Sequence, residues 1–340
     1  MGVAISLAEL AAAVANEGGI GIIASIGINR DEPDVYTDYV ASSNRAVKNE
    51  IKKARGLSKG IIGINIMVAI TNYAETVQAA IEEGIDIIIS GAGLPMHLPK
   101  YKIEAAVKSD TALVPICSSG RSAAIICRTW DKKYNYTPDA IVVEGPLAGG
   151  HLGFSPDELS RIDEYSLEKL VADVIEEVKP YEAKYGRKIP VIAGGGVYSG
   201  EDIVKFIKLG AAGVQMATRF VATDECNAHP KFKEAYINAK AEDIVLIQSP
   251  VGLPGRAVRS NFVTAVENGK KIPIKCPYHC LITCKVEDSP YCIALALTNA
   301  TKGNFDHGFV FCGSNASRID RIMSVKELMD SLVAEADAVV

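Results

Sequence analysis

The residue in this sequence whose type and setting best suit catalysis is His151. It ends the segment 144–151, which reads EGPLAGGH and follows a β-branched run. A histidine next to glycines is carried on a loop with little steric shielding, and an imidazole exchanges protons near neutral pH. His151 is therefore a candidate general base, although hydrogen bonding within a loop is the usual role of a single histidine. The other four have no comparable setting: His97, His229, His279 and His307.

Two turns rich in small residues could bind a phosphate group. One reads GGG over 194–196 and the other reads QMAT over 215–218, and both coincide with the ends of apolar runs. Small residues let a phosphate approach backbone N–H groups closely, and barrel enzymes commonly bind phosphate after their last two strands. The same glycines could equally serve only to make tight strand-to-helix turns.

A third group of reactive side chains is the set Cys276, Cys280, Cys284 and Cys292, spaced C-x3-C-x3-C-x7-C. Four thiolates can ligate zinc or an iron–sulfur cluster. The first three would instead lie on one face if the segment were a helix, and would then pack against a core. The usual ferredoxin and zinc motifs have two residues between thiols, so we expect buried reduced thiols and keep metal ligation as the alternative.

The elements that must position these residues alternate along the chain. Short apolar runs, typical of strands buried on both faces of a parallel sheet, are separated by amphipathic helical patterns such as 72–83 and 201–209. This alternation predicts βα units. The predicted strands are 20–24, 61–67, 85–90, 112–117, 140–144, 189–193 and 213–216.

We interpret the seven predicted strands as a TIM (β/α)8 barrel whose first strand is truncated, because a helix over about 7–16 opens the chain with no strand before it. A doubly wound open sheet is the alternative, but it normally carries a dinucleotide fingerprint, and none is found. After Phe220 the pattern changes to helix plus irregular loop over 224–273, which predicts a cap. We therefore expect a barrel over 1–223, a helical and loop cap over 224–275, and a cysteine-bearing helical tail over 276–340 that packs on the barrel.

Composition excludes several classes of protein. The 340 residues include 36 Lys and Arg against 41 Asp and Glu, and no basic patch that would suit nucleic acid. The apolar start lacks Lys and Arg and is interrupted by polar residues, so it does not resemble a signal peptide. No long uncharged apolar stretch predicts a membrane helix. We expect a cytoplasmic protein with reduced cysteines.

Three motifs in this order carry a family resemblance: EGPLAGGH at 144–151, AGGGV at 193–197 and GVQMATRF at 213–220. In this combination the sequence resembles the nitronate monooxygenase family, formerly called 2-nitropropane dioxygenases. The family also includes the flavin-dependent enoyl-acyl-carrier-protein reductase of type II. The resemblance covers nearly all of the chain up to about residue 262, and it implies an FMN-binding barrel with a helical cap.

The resemblance also implies roles for individual residues. His151 matches the catalytic histidine, which is proposed to remove the α-proton of a neutral nitroalkane or to orient a nitronate or enoyl substrate over the flavin. The positions implied to contact or border FMN are Met1, Asn65, Gly91, Gly93, Glu144, Gly149, Gly150, Gly194, Gly195, Gly196, Gln215, Met216, Ala217 and Thr218.

The sequence departs from the family pattern at three places. It starts at the Met-Gly of a strand that commonly reads P-I-I-Q-G-G-M-G, so we expect the true start to lie upstream of residue 1. Ala217 replaces the usual glycine and adds a methyl group near the phosphate. Pro146 and Leu147 replace an acidic residue that often precedes Ala-Gly-Gly-His, which leaves the substrate open.

These observations lead to three functional hypotheses. The first is an FMN-dependent oxygenase that oxidises alkyl nitronates or nitroalkanes with O2, with His151 as base. The second is an enoyl-thioester reductase that uses NAD(P)H, which the lack of a basic patch for an acidic carrier protein disfavours. The third is a flavin redox relay in which the cysteines hold an iron–sulfur cluster. The expected partner is a small-molecule substrate, with no nucleic acid and no membrane, and a homodimer is compatible with the sequence.

Overall fold

The computed structural model describes residues 2–272, 276 and 278–340. Its strands are β1 Gly21–Ala24, β2 Ile62–Met67, β3 Ile87–Gly91, β4 Ala112–Cys117, β5 Ile141–Glu144, β6 Gly150–His151, β7 Val191–Gly194, β8 Gly213–Gln215, β9 Ile244–Gln248 and β10 Pro254–Val258. All seven runs predicted from the sequence contain strands.

Helices follow most of these strands, as expected of βα units. They are α1 Ala8–Asn16, α2 Tyr39–Leu57, α3 Tyr73–Glu82, α4 Leu98–Ile103, α5 Gly120–Tyr134, α6 Pro156–Ser160, α7 Leu167–Tyr185, α8 Gly200–Lys208, α9 Thr218–Val221, α10 Pro230–Ile237, α11 Asn261–Glu267, α12 Ile293–Thr301 and α13 Val325–Asp337. Both α5 and α8 begin with capping boxes, at Ser119 and Ser199, and these start the helices immediately after the strand-end turns.

Seven strands form one parallel sheet in the order β1-β2-β3-β4-β5-β7-β8. This sheet curls into a half-barrel with helices around it, which confirms the prediction of a TIM-barrel-like α/β fold. Within the part of the chain that is described, β1 and β8 are its two edge strands. Because all seven strands are parallel, their carboxyl ends meet at one rim, where barrel enzymes carry their active sites.

The sheet is stabilised by apolar burial on both faces. Ile62, Ile64 and Ile66 alternate along β2 and are fully buried in the core shared with the surrounding helices. On the opposite face, Ile89 and Val114 belong to a smaller cluster inside the half-barrel. Each such side chain contributes about 1.5–3 kcal/mol by leaving water, which is why near-continuous apolar runs form these strands.

The prediction of helix plus irregular loop over 224–273 is wrong in one important respect. This segment contains the antiparallel hairpin β9–β10, and β10 also pairs with β6, giving a three-stranded sheet in the order β6-β10-β9. Pro254 and Gly255 open β10, and both residue types are uncommon in strands. The hairpin is held by pairing with a distant two-residue strand, which local sequence patterns do not report.

The cysteine-bearing segment is also less helical than expected. Residues 276 and 278–290 form turns and irregular structure, and α12 begins only after Cys292. The predicted helical stripe of cysteines is therefore wrong. Across residues 2–272, 276 and 278–340, no helix is both long and apolar enough to cross a membrane.

Candidate active site

A cavity of about 1300 Å³ runs through the half-barrel and includes the rim formed by the carboxyl ends of the parallel strands. Most of the residues singled out in the sequence line it: Asn65, Gly91, Gly93, Glu144, Gly149, Gly150, His151, Gly195, Gly196, Gln215, Met216, Ala217 and Thr218. Gly194 does not line it; this residue ends β7, where it pairs with Glu144 of β5 and Gln215 of β8. Met1 lies outside the described residues.

His151 is held in this cavity by the second sheet. Its backbone pairs with Gly255 of β10, and its Nε2 lies 2.7 Å from the hydroxyl oxygen of Ser249. The ring of Phe311 packs edge-on against the imidazole with 5.0 Å between centroids. His151 is therefore fixed both at its backbone and at its ring, although it comes from a short glycine-rich segment.

Burial lowers the pKa of His151 to about 4, because removing the ring from water disfavours the imidazolium. The side chain is therefore neutral throughout the physiological pH range. A neutral imidazole can accept a proton through one nitrogen or donate a hydrogen bond through the other. An anionic ligand beside it would raise the pKa again.

The packing of the loop before His151 places it against the C-terminal part of the chain. A Cβ atom at Gly149 would lie 2.5 Å from the carbonyl carbon of Cys312 and 2.6 Å from the nitrogen of Gly313, so only glycine fits there. The buried guanidinium of Arg256 donates a short hydrogen bond to the carbonyl oxygen of Ala148. These contacts fix the position of the loop that carries His151.

Three polar side chains project into the cavity from separate strands of the parallel sheet, β2, β5 and β8. Asn65 at the end of β2 is almost fully buried, and neither its amide nor that of Gln215 hydrogen bonds to another described residue. Glu144 ends β5 between them, and desolvation raises the pKa of its carboxyl. Side-chain amides that line a cavity and have no hydrogen-bond partner among the described residues indicate a ligand that has polar groups of its own.

The glycine turn after β7 forms a cradle of backbone groups. Gly195 has φ +92°, and a Cβ atom there would lie 3.0 Å from both the Ala148 Cβ and the Gly145 carbonyl oxygen. The N–H groups of Gly195, Gly196 and Ala217 make no hydrogen bond to another described residue. Free N–H groups next to the first turn of α9 suit a phosphate.

One part of the cradle was missed in the sequence. Gly313, Ser314 and Asn315 line the same region of the cavity, and the Asn315 amide donates to the carbonyl oxygen of Gly196 over 2.8 Å. A Gly-Ser-Asn turn after the apolar run 309–312 was the available signal. Ser249 was missed as well, since it lies in the segment 224–273 that was predicted only as helix plus irregular loop.

The residues present fit the flavin mononucleotide that the resemblance implies. A flavin ring has a polar edge of carbonyl and N–H groups, which matches the amides of Asn65 and Gln215. Its phosphate matches the backbone N–H groups of Gly195, Gly196 and Ala217, where side chains are small enough for close approach. The apolar walls of the half-barrel suit the rest of the ring.

The four cysteines lie beside this site rather than in the core. Cys276, Cys280, Cys284 and Cys292 are each partly exposed, so the expectation of buried thiols is wrong for this set. Burial raises the pKa of Cys280, which lines the cavity, to about 12, and the other three thiols add to the shift. Among the described residues, no three Cys, His, Asp or Glu side chains are arranged to hold a metal ion.

Comparison with known proteins places this architecture in a family. The family model described as nitronate monooxygenase matches residues 1–335. The chain belongs to the nitronate monooxygenase family. Members of this family are typically flavin-dependent oxidoreductases.

This nitronate monooxygenase family member has several similar relatives. It is 24% identical over 360 residues to a probable nitronate monooxygenase of Staphylococcus saprophyticus, covering 97% of this chain and 91% of that protein. It is 28% identical over 265 residues to the (3aS,4S,5R,7aS)-5-hydroxy-7a-methyl-1-oxo-octahydro-1H-indene-4-carboxyl-CoA dehydrogenase of Mycobacterium tuberculosis. That match covers 78% of this chain but only 63% of the dehydrogenase.

A solved structure supports the same placement. FabK from Thermotoga maritima superposes with a TM-score of 0.73 at 26% sequence identity, covering 98% of this chain and 90% of FabK. The half-barrel and the second sheet therefore belong to one fold shared over nearly the whole of both chains.

Proposed function

We propose that this protein is an FMN-dependent oxidoreductase that oxidises alkyl nitronates with O2, and that His151 binds the reacting end of the substrate. The observation that carries the proposal is that a neutral, buried imidazole lines a cavity whose residues fit a flavin. The family match and the similarity to a probable nitronate monooxygenase support it.

The residues of the chain would divide the work as follows. Gly195, Gly196 and Ala217 would hold the phosphate through backbone N–H groups, and Asn65 and Gln215 would orient the ring. When bound, the flavin supplies the electron chemistry. His151 would hold the nitro or nitronate group of the substrate, and the apolar walls around it would exclude water.

The role of His151 as a base for neutral nitroalkanes depends on its basicity. A general base works best with a pKa near the working pH, and a pKa of about 4 makes His151 a weak one. An alkyl nitronate is already deprotonated, so it needs only to be oriented. The lowered pKa of His151 therefore favours nitronates over neutral nitroalkanes as substrates.

A second candidate is an NAD(P)H-dependent reductase of enoyl thioesters. Two observations favour it: the 26% identity to FabK and the similarity to a dehydrogenase of a carboxyl-CoA thioester. The same imidazole could hold the thioester carbonyl oxygen.

A paired assay of the purified flavoprotein tests both candidates. Oxygen uptake with ethylnitronate or propionate 3-nitronate, in the absence of NAD(P)H, is the expected result. Oxidation of NAD(P)H driven by a crotonyl thioester, without oxygen uptake on nitronates, would replace the first candidate by the second. His151→Gln serves as the site control in both assays, and should lose most of whichever activity is present.

The cysteine cluster hypothesis stays a prediction of the sequence. Iron and acid-labile sulfide analysis of anaerobically purified protein tests it directly. Stoichiometric iron and sulfide, lost in a Cys280→Ser variant, would support the redox-relay function. Finding neither iron nor sulfide would refute it.

A further inference from the structure

The hydrogen bond between Ser249 and His151 has a direction that the surrounding groups determine. Ser249 lies in the turn between β9 and β10, and its side chain is only 3% exposed. The turn is rigid, because Ser249 N–H donates to the Leu253 carbonyl oxygen and Gly252 N–H donates to the Ser249 carbonyl oxygen. The hydroxyl is therefore held 2.7 Å from Nε2 of His151.

The hydroxyl proton of Ser249 has one acceptor among the described residues. The other contact of this oxygen is a long one of 3.5 Å from the Val251 N–H group, in which the oxygen is the acceptor. If Nε2 carried a proton, the buried hydroxyl proton would have no partner, which is costly. The arrangement that satisfies both groups has Ser249 donating to an unprotonated Nε2.

A neutral imidazole that accepts at Nε2 carries its proton on Nδ1. Nδ1 of His151 makes no hydrogen bond to another described residue, and His151 lines the cavity. The Nδ1–H group is therefore the part of the ring that remains for a ligand. In this tautomer His151 offers a hydrogen-bond donor to the cavity and has no lone pair facing it.

We infer that Ser249 is a positioning residue that holds His151 in the Nδ1–H tautomer, so that the site binds an anionic oxygen and does not remove a proton from carbon. This inference rests on the proposed function and goes beyond it by assigning Ser249 as the residue that makes the site select an alkyl nitronate over its neutral nitroalkane. A neutral nitroalkane offers an acidic C–H group and needs a lone pair at this position, so it is a poor substrate.

The tautomer is measured directly in the holoenzyme. The protein is labelled with 15N at its five histidines, the signals of His151 are identified with the His151→Gln variant, and the nitrogen that carries the proton is read from the 15N shifts near pH 7. A proton on Nδ1 is the expected result. A proton on Nε2 would overturn the inference, whichever substrate the enzyme turns over.

Kinetics of two variants provide the second measurement. Ser249→Ala removes the constraint, so we expect kcat/KM for ethylnitronate to fall about tenfold, the effect of one hydrogen bond to the ring. The ratio of nitroethane to ethylnitronate activity should rise, since a tautomer with a free lone pair becomes accessible. Ser249→Thr keeps a hydroxyl and should restore the wild-type ratio.

The controls separate this inference from the proposed function. Ser160→Ala removes a hydroxyl from the exposed end of α6, outside the lining of the cavity, and should leave both rates unchanged. A ratio that does not change in Ser249→Ala would contradict the positioning role. If the enzyme reduces thioesters and ignores nitronates, the proposed function fails, while the 15N measurement still decides the tautomer.

Discussion

Replacement of Gly149 by alanine tests whether the loop before His151 is positioned by its packing against the C-terminal part of the chain. The added Cβ would lie 2.5 Å from the Cys312 carbonyl carbon. Carbon atoms in contact lie about 3.5 Å apart, so the two backbones must separate by about 1 Å. The clash cannot be relieved by rotating a side chain, because a Cβ atom is fixed by its own backbone and the atom that it meets belongs to the main chain.

A displacement of about 1 Å of a catalytic group can cost on the order of 100-fold in rate. We therefore expect Gly149→Ala to lower kcat/KM for the nitronate by about 100-fold. Overpacking of this kind also costs about 1–3 kcal/mol of stability, so Tm should fall by a few degrees while the protein stays folded. The assay combines oxygen uptake, flavin content and thermal unfolding.

Gly56→Ala is the matched control. Gly56 lies near the end of α2, and a Cβ atom there meets nothing within 4 Å. Alanine is favoured over glycine in a helix by up to about 1 kcal/mol, so this variant should be at least as stable as the wild type and equally active. Wild-type kcat/KM in Gly149→Ala would refute the reasoning, since it would mean that the contact with Cys312 does not determine where His151 lies.

Three further predictions concern the cofactor cradle and the buried histidine. Gly195→Ala combines a φ of +92° with a close approach to Gly145, and should weaken flavin binding at least tenfold in fluorescence titrations; unchanged affinity would place the phosphate elsewhere. Asn315→Ala removes the hydrogen bond to Gly196 and should increase the flavin Kd several-fold while lowering the free energy of unfolding by no more than about 1 kcal/mol. Because burial lowers the pKa of His151 from 6.5 to about 4, the unfolded chain binds the proton more tightly, and stability should be lost as pH falls from 6.5 to 4. Urea unfolding of the wild type and of His151→Gln over this pH range measures the difference between their free energies of unfolding. Glu144, whose raised pKa has the opposite effect on stability, is present in both proteins, so its contribution cancels in this difference. If the free energies of the two proteins change in parallel with pH, the pKa of His151 is not lowered.

The strands of the half-barrel were predictable because each carries its own signal. A strand buried on both faces needs apolar residues at nearly every position, as in β2 with Ile62, Ile64 and Ile66. Parallel strands also bring their carboxyl ends to one edge of a sheet, so the pattern of runs alone is enough to expect Asn65, Glu144 and Gln215 at the same rim. Their roles toward a flavin came from the family resemblance, not from the pattern itself.

The second sheet was not predictable in the same way. β10 begins with Pro254 and Gly255, and β6 is two residues long, so neither segment has a periodicity that can be recognised. The cysteine segment was misjudged for a related reason. A spacing of four residues suggests a helix, but the segment around Cys280 is held by contacts with the loop after β2, where Thr71 N–H donates to the Cys280 carbonyl oxygen.

Local apolar patterns and motifs of a few residues were enough to predict the parallel sheet, the rim on which the candidate site lies and His151 as the residue to test. The surroundings of His151 follow from the way distant segments pack together. Ser249 is 98 positions away along the chain, and Asn315 is 119 positions from its partner Gly196. Side chains at such separations are brought together by the packing of whole elements, and the protonation state and the hydrogen-bond direction of a buried histidine depend on those neighbours.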